Sequence, residues 1–281
     1  MIHPTAVIHP RAELPGSVSV GPYAVIDENV VLGPDCVVGP HVHLTGHTTI
    51  GARNRFHTGC VIGDAPQDLK YQSAPTRLRI GDQNVFREHT TVHRSNKLEE
   101  DTVLGSHNFL MAGAHIGHNS QVGNHVILAN GALLGGHVLV DDRAFLSGHC
   151  LVHQFVRVGA LALMQGGSAI SKDLPPFCVA RGDNGICGLN AVGLRRAGFS
   201  SDQRLELRRL YHFLFRSGRP LRHAVDEARQ QFVSESSRVL LEFVAATRRG
   251  VCADVGRATE HRPKQGDGEV EMPGAGATEP T

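Results

Sequence analysis

Every sixth residue from the start of the chain is large and apolar: Ile2, Ile8, Leu14, Val20, Ile26, Leu32, Val38, Leu44, Ile50, Phe56 and Ile62. The rhythm returns at Ile80, Phe86 and Val92. It then runs unbroken through Leu104, Leu110, Ile116, Val122, Leu128, Leu134, Val140, Leu146, Val152, Val158, Met164 and Ile170. With 41% of residues hydrophobic, chance gives a run of twelve such positions with probability on the order of 10⁻⁵. Neither a helical nor a strand period produces it. The next residue is often Gly, as at Gly21, Gly33, Gly51, Gly105, Gly117 and Gly135, and the fourth is small or β-branched, as at Ala6, Val18, Cys36, Ala114 and Ala132. Hexapeptide repeats of this kind specify a parallel β-helix, each hexad giving one short strand and one turn. The glycines are expected to supply turns of unusual φ and ψ. Three hexads close a coil of about 18 residues, and coils stack about 4.8 Å apart. The 26 counted hexads amount to nearly nine coils, a prism on the order of 40 Å tall.

Two polar segments interrupt the repeat, residues 64–79 and 94–103. Loops that break a strict repeat usually serve function. Beyond Pro175 and Pro176 the period fades. With Ser200 or Ser201 as cap, the spacing predicts a helix over DQRLELRRLYHFLFRSG; Pro220 opens a second helix, and residues 235–249 form a third. The expected division is a β-helix over 1–186, a small α-helical domain over 187–252, and a disordered tail over 253–281, rich in Gly, Pro, Glu and Thr.

Composition narrows the chemistry. Of the 281 residues 32 are Gly and 18 are His, while aromatics make up only 5% and Trp is absent. The core is therefore narrow and aliphatic. No apolar run approaches the roughly 18 residues of a membrane span, and Met1-Ile2-His3-Pro4 does not read as a secretory signal. A net charge of +1 argues against bulk binding to nucleic acid or anionic membrane. Cys36, Cys60, Cys150, Cys178, Cys187 and Cys252 lack CxxC spacing, and the first three fall on the small inward position. They read as core filler in a reduced, cytoplasmic protein. Between residues 195 and 249 twelve Arg face six acidic residues, a net of +6. That bias is either a solvated helical face or a docking surface for an acidic partner.

The coil length predicts vertical neighbours. One coil after His118 comes Gly136, and one further comes Gln154, with His137 and His153 beside the column and His115 a hexad position away. A neutral imidazole is a suitable general base near neutral pH, and an unhindered glycine N–H suits an oxyanion. No Ser or Cys stands in the column as nucleophile, which favours direct attack by a substrate hydroxyl. Turn positions also tolerate His without function. Metal binding is a further reading, because His115, His118 and His125 in HIGHNSQVGNH resemble the three-His pattern of trimeric β-helix carbonic anhydrases. That reading leaves the loops and basic helices without purpose, so no metal or cofactor is expected. A non-catalytic scaffold is the third alternative.

The strings QDLKY (67–71), PTRLRIGD (75–82), AHIGH (114–118), GGHV (135–138), VHQF (152–155), DLPPF (173–177) and LRRAGFS (194–200) carry a specific resemblance. In order, and over about residues 1–250, the chain resembles the acyl-[acyl-carrier-protein]–UDP-N-acetylglucosamine O-acyltransferases, which open lipid A biosynthesis. The resemblance implies an all-β left-handed parallel β-helix with a small α-helical C-terminal domain, assembled as a homotrimer with sites between neighbours. It implies transfer of a 3-hydroxyacyl chain from acyl carrier protein to the 3-hydroxyl of UDP-N-acetylglucosamine. On that basis His118 is the base and the Gly136 N–H faces the oxyanion. Asp68, Lys70, His115, His137, His153, Gln154, Asn190 and Arg196 bind substrate, and Gly166 and Asn184 are candidate rulers of acyl length. Arg204, Arg208 and Arg209 would dock the acidic carrier protein. Two departures stand out: Asn119 follows the base where Asp is usual in such proteins, and Ala197 follows Arg196 where a second basic residue is usual.

Overall fold

The computed structural model describes residues 1–256. From Val7 to Ile170 the chain winds through 24 short strands, whose stacked copies form the three parallel sheets of a triangular prism. The first face carries the outward column Thr91, His115, Leu133, Leu151 and Ala169. The second carries Val103, Gln121, Leu139 and Arg157, and the third Phe109, Ile127, Phe145 and Leu163. The every-sixth residues point inward and form one continuous core, with Phe86 stacked on Phe56 at 4.7 Å between centroids. Ile2 is an exception, 56% exposed, because the first coil has no rung beneath it. Cys36, Cys60 and Cys150 are buried in the core, and all six cysteines are free thiols.

The glycines act differently from the expectation. Among those directly after the large apolar residue only Gly63 has positive φ. A Cβ on Gly33 would lie 2.5 Å from the Gly51 carbonyl carbon, and one on Gly117 2.7 Å from the Gly135 carbonyl carbon. They are required because the next coil's backbone passes close by. The left-handed conformation falls two residues later and is taken mostly by other residue types: Asn29, Asp35, Asn119, and the histidines His41, His89, His107, His125, His137 and His149. Asn, Asp and His tolerate that conformation best after Gly. Much of the histidine excess is thus a turn preference.

Between the second and third faces the turns are tied by a buried asparagine ladder. Asn84 donates its backbone N–H to Asn54 Oδ1 at 2.9 Å, and its own Oδ1 accepts from Asn108 N at 2.8 Å. The Asn84 amide also donates to the Gly105 carbonyl at 3.0 Å. Asn84→Ala leaves buried partners on two neighbouring rungs unmatched. It is expected to destabilise the fold by about 1–3 kcal/mol, read as a lower Tm, with kcat per folded molecule unchanged.

Both interruptions of the repeat fall on one edge, between the first and second faces. There Ile62 is followed on the second face by Ile80, and Val92 by Leu104, where the plain turn runs from Ile116 to Val122. The strands Arg77–Ile80 and Thr102–Leu104 take back the ends of the segments read as loops, because Leu78 and Thr102 turn inward and are buried. Asp101 fastens the two segments, receiving Arg77 at 2.7 Å and Arg79 at 2.5 Å.

The prism does not end at residue 186. Strand Gly185–Leu189 folds back antiparallel on Cys178–Arg181, and Ala253–Asp254 adds a further strand beside it. Residues 253 and 254 belong to the segment that composition assigns to a disordered tail. Instead they cover the open edge of the third face, and Asp254 holds Tyr211 at 2.5 Å and Arg216 at 2.7 Å. Val255 continues the strand, donating its N–H to the Ile186 carbonyl at 2.8 Å, and residues 257–281 of that expected tail lie outside the described residues.

Helix α1 (Ala191–Arg196) is too short for periodicity to reveal, whereas α2 (Ser201–Phe215) opens on a Ser200–Gln203 capping box. Helix α3 (Leu221–Gln231) follows Pro220, and α4 (Glu235–Ala245) ends before the expected 249. The residues after it turn to the prism, where Thr247 donates to Asp173 at 2.8 Å. Arg157 completes the bracket, pairing with Asp173 at 2.9 Å and donating to the Phe243 carbonyl at 2.8 Å.

Candidate active site

The edge that receives both loops also carries the histidine column. His137 N donates to the His118 carbonyl at 2.8 Å and Phe155 N to the Gly136 carbonyl at 3.2 Å, so consecutive rungs stand one coil apart along the chain. A Cβ on Gly136 would lie 2.6 Å from His118 Nε2. Gly136 is therefore what lets the imidazole lie over the next rung. Its own N–H meets no acceptor among the described residues.

His118 is 8% exposed, and its ring is held from behind. Nδ1 lies 2.8 Å from Asn119 Oδ1, which also accepts the Asn96 backbone N–H at 3.0 Å. The Asn119 amide nitrogen donates to Ser95 Oγ at 2.7 Å and to the Glu100 carboxylate at 3.1 Å. A backbone donor on one side and a carboxylate on the other fix the amide's orientation. In its neutral form His118 therefore carries its proton on Nδ1 and presents the Nε2 lone pair to Gly136.

The loops supply the rest of the wall. Asp68 accepts the Asn96 side chain at 2.8 Å and the Lys70 backbone N–H at 3.0 Å, and these bonds hold its carboxyl below the ordinary value. Lys70 itself is exposed. His115 Nδ1 lies 2.8 Å from Thr91 Oγ1, and burial pushes its pKa down to about 4. Burial also lowers His93, which meets His115 edge-on at 5.1 Å, and His137, which meets His118 edge-on at 5.2 Å. The three neighbours favour the neutral form, so His118 does not sit among fixed positive charges.

On the first face a groove of about 510 Å³ leads away from His115 past Leu133, Leu151 and Ala169 to Asn184. Leu133 and Leu151 are 40% and 48% exposed there, an apolar stripe beside the polar edge. Within one chain the three histidines of the metal reading do not come together. His125 stands on the next edge, stacked on His107 at 4.8 Å, away from His115 and His118.

A family description, bacterial transferase hexapeptide, six repeats, matches residues 101–136. A second, UDP-N-acetylglucosamine O-acyltransferase domain 2, matches residues 173–252. The acyl-[acyl-carrier-protein]–UDP-N-acetylglucosamine O-acyltransferase of Syntrophobacter fumaroxidans is 45% identical over 254 residues, 89% of this chain and 98% of that protein. The chain belongs to the UDP-N-acetylglucosamine O-acyltransferase family. The UDP-N-acetylglucosamine acyltransferase of Francisella novicida superposes with a TM-score of 0.87 at 34% identity, covering 91% of this chain and 95% of that one. The enzyme from Campylobacter jejuni gives 0.84 at 35%, covering 90% and 99%.

In this O-acyltransferase the other anticipated residues divide by edge. Gln154 is exposed one rung beyond Gly136, and His153 beside it faces Arg249 at 3.4 Å. Asn190 caps α1 by accepting the Gly193 N–H and donates to the Leu161 carbonyl at 2.9 Å. That places it, with exposed Arg196 at the helix end, by the edge between the second and third faces. Ala197 is the C-cap of α1. Gly166 is exposed on the remaining edge and does not line the groove, whereas Asn184 does, its Oδ1 accepting the Ser171 N–H at 2.7 Å. Arg204 and Arg208 line a cleft of about 430 Å³ with Arg195 and His212; Arg209 is exposed outside it.

Residues 91–100 hold what sequence reasoning overlooked: Ser95, Asn96 and Glu100 bond Asn119 behind His118, and Thr91 and His93 lie against His115. Carrying the face assignment across the first interruption would have placed Thr91 and His93, which stand on the strand Thr91–His93 beside His115, but not the three loop residues.

Proposed function

We propose that the protein transfers a 3-hydroxyacyl chain from acyl carrier protein to the 3-hydroxyl of UDP-N-acetylglucosamine, the opening step of lipid A biosynthesis, in the cytoplasm. The observation that carries this reading is the His118 Nε2 lone pair directed over Gly136, with Nδ1 fixed by Asn119. The sugar hydroxyl gives its proton to Nε2 as its oxygen attacks the thioester carbonyl. The Gly136 N–H receives the developing oxyanion. Collapse of the tetrahedral intermediate expels the carrier-protein thiolate, which takes the proton back from His118.

Asp68, Lys70, His115, His137, His153 and Gln154 line the sugar-nucleotide side. The apolar groove receives the acyl chain, with Asn184 at its far end. Asn190 and Arg196 lie by a different edge from His118, so for them to bind the same nucleotide they come from a neighbouring copy. That requirement supports a homotrimer. No described helix is long and apolar enough to cross a membrane. The deciding experiment incubates the protein with UDP-N-acetylglucosamine and 3-hydroxyacyl carrier proteins of several lengths. Acylated sugar nucleotide is the expected product, and no transfer from any donor would overturn the reading.

The Arg204 and Arg208 cleft is the proposed contact for the acidic carrier protein. The double reversal Arg204→Glu and Arg208→Glu is expected to raise KM for acyl carrier protein, more at low salt, with KM for the sugar nucleotide unchanged. Arg209→Glu, outside the cleft, is expected to do less. Initial rates at two ionic strengths check both.

A further inference from the structure

The bonding around Asn119 reaches one step beyond the base. Both donors and both acceptor positions of this amide are occupied: Oδ1 by His118 Nδ1 and the Asn96 N–H, Nδ2 by Ser95 Oγ and Glu100 Oε2. Glu100 comes from the second loop and is itself braced by Lys97 at 2.9 Å. We propose that Glu100 is a positioning residue for the base: by accepting the Asn119 amide it fixes that amide's direction, and so keeps the His118 proton on Nδ1 and the lone pair on Nε2. The inference rests on His118 being the general base. A flipped amide would turn N–H toward Nδ1 and force the proton to Nε2, the tautomer that cannot accept from the sugar hydroxyl. The carboxylate makes that flip costly, since the amide oxygen would then face Glu100.

The arrangement makes a sign-specific prediction. Asn119→Asp brings a carboxylate into direct contact with His118 but also sets it against Glu100, with no N–H between them. Like charges at hydrogen-bonding distance cannot both remain ionised without cost. Glu100→Gln restores a donor between the two positions. Asn119→Asp is therefore harmful beside Glu100 and is rescued by Glu100→Gln, although Glu100→Gln alone removes a bond from the native network.

The test measures kcat, both KM values, Tm and the pH dependence of kcat/KM for Glu100→Ala, Asn119→Asp and the double variant Asn119→Asp with Glu100→Gln. Glu100→Ala is expected to lower kcat by about tenfold, with Tm unchanged because this side chain is 47% exposed. Asn119→Asp is expected to fall further, and the double variant to recover most of the loss. In the double variant the acid limb moves up by about one pH unit, because a carboxylate then contacts the imidazolium. The other groups around His118 are Asp68, His93, His115 and His137, with Lys97 and Glu100 facing His137. All four first-named residues are retained in every variant, so they supply a constant background. Wild-type kcat in Glu100→Ala, or equal loss from Asn119→Asp in both backgrounds, overturns the proposal. Activity retained in His118→Ala would instead remove the base itself, which separates the two failures.

Discussion

Replacing His118 by Ala is expected to lower kcat by about 10²–10⁴, the usual contribution of a positioned general base. KM for the sugar nucleotide should change little, because the lost interaction is one made as the proton moves. The fold should survive. His118 sits on a turn outside the aliphatic core, and the rung hydrogen bonds beside it are made by backbone, His137 N to the His118 carbonyl among them. The measurement is single-turnover acyl transfer beside a thermal melt. A variant with native Tm and near-native turnover would remove His118 from the chemistry.

Gly136→Ala is the second large effect, and it is produced by a single methyl group. The added Cβ would lie 2.6 Å from His118 Nε2 and 2.7 Å from Cε1, a contact that real Cβ atoms do not sustain. Gly136 is not among the residues of positive φ, so the backbone accepts alanine and the coil stays intact. The imidazole must move instead, against the hold of Asn119. A displacement near 1 Å costs about 10²-fold in rate, and the methyl also crowds the N–H assigned to the oxyanion. The expected result is a loss of that order in kcat with a Tm close to wild type. Retention of more than half the wild-type kcat would show that Nε2 does not work over this rung.

The prism was legible because burial in a narrow core imposes its period on the chain: inward residues such as Ile116, Leu134 and Val152 repeat with the coil, and so do the turn residues His118, Gly136 and Gln154. The mutual position of His118 and Gly136 followed from register alone. Glycine's role did not, since a close approach between rungs and a left-handed turn leave the same letter in the sequence. The loops were opaque for another reason. Residues 64–76 and 94–101 bury few side chains, so no period marks where they return, and the bonds of Asn119 to Ser95, Asn96 and Glu100 join groups brought together only by tertiary folding. The short helix α1 and the strand Ala253–Asp254 escaped notice because each is specified by its partners rather than by its own sequence.

The groove from His115 to Asn184 climbs the first face one strand at a time, through Leu133, Leu151 and Ala169. Its length is consequently an integer count of coils, each worth about 4.8 Å. In a stack where each coil touches only its neighbours, splicing in or excising one 18-residue unit above His118 would lengthen or shorten that groove by one whole increment and leave His118 where it is. If the groove receives the acyl chain as proposed, such a change would reset the accepted length coarsely, by several methylenes together, while substitutions at Leu151, Ala169 or Asn184 would provide the fine adjustment between increments.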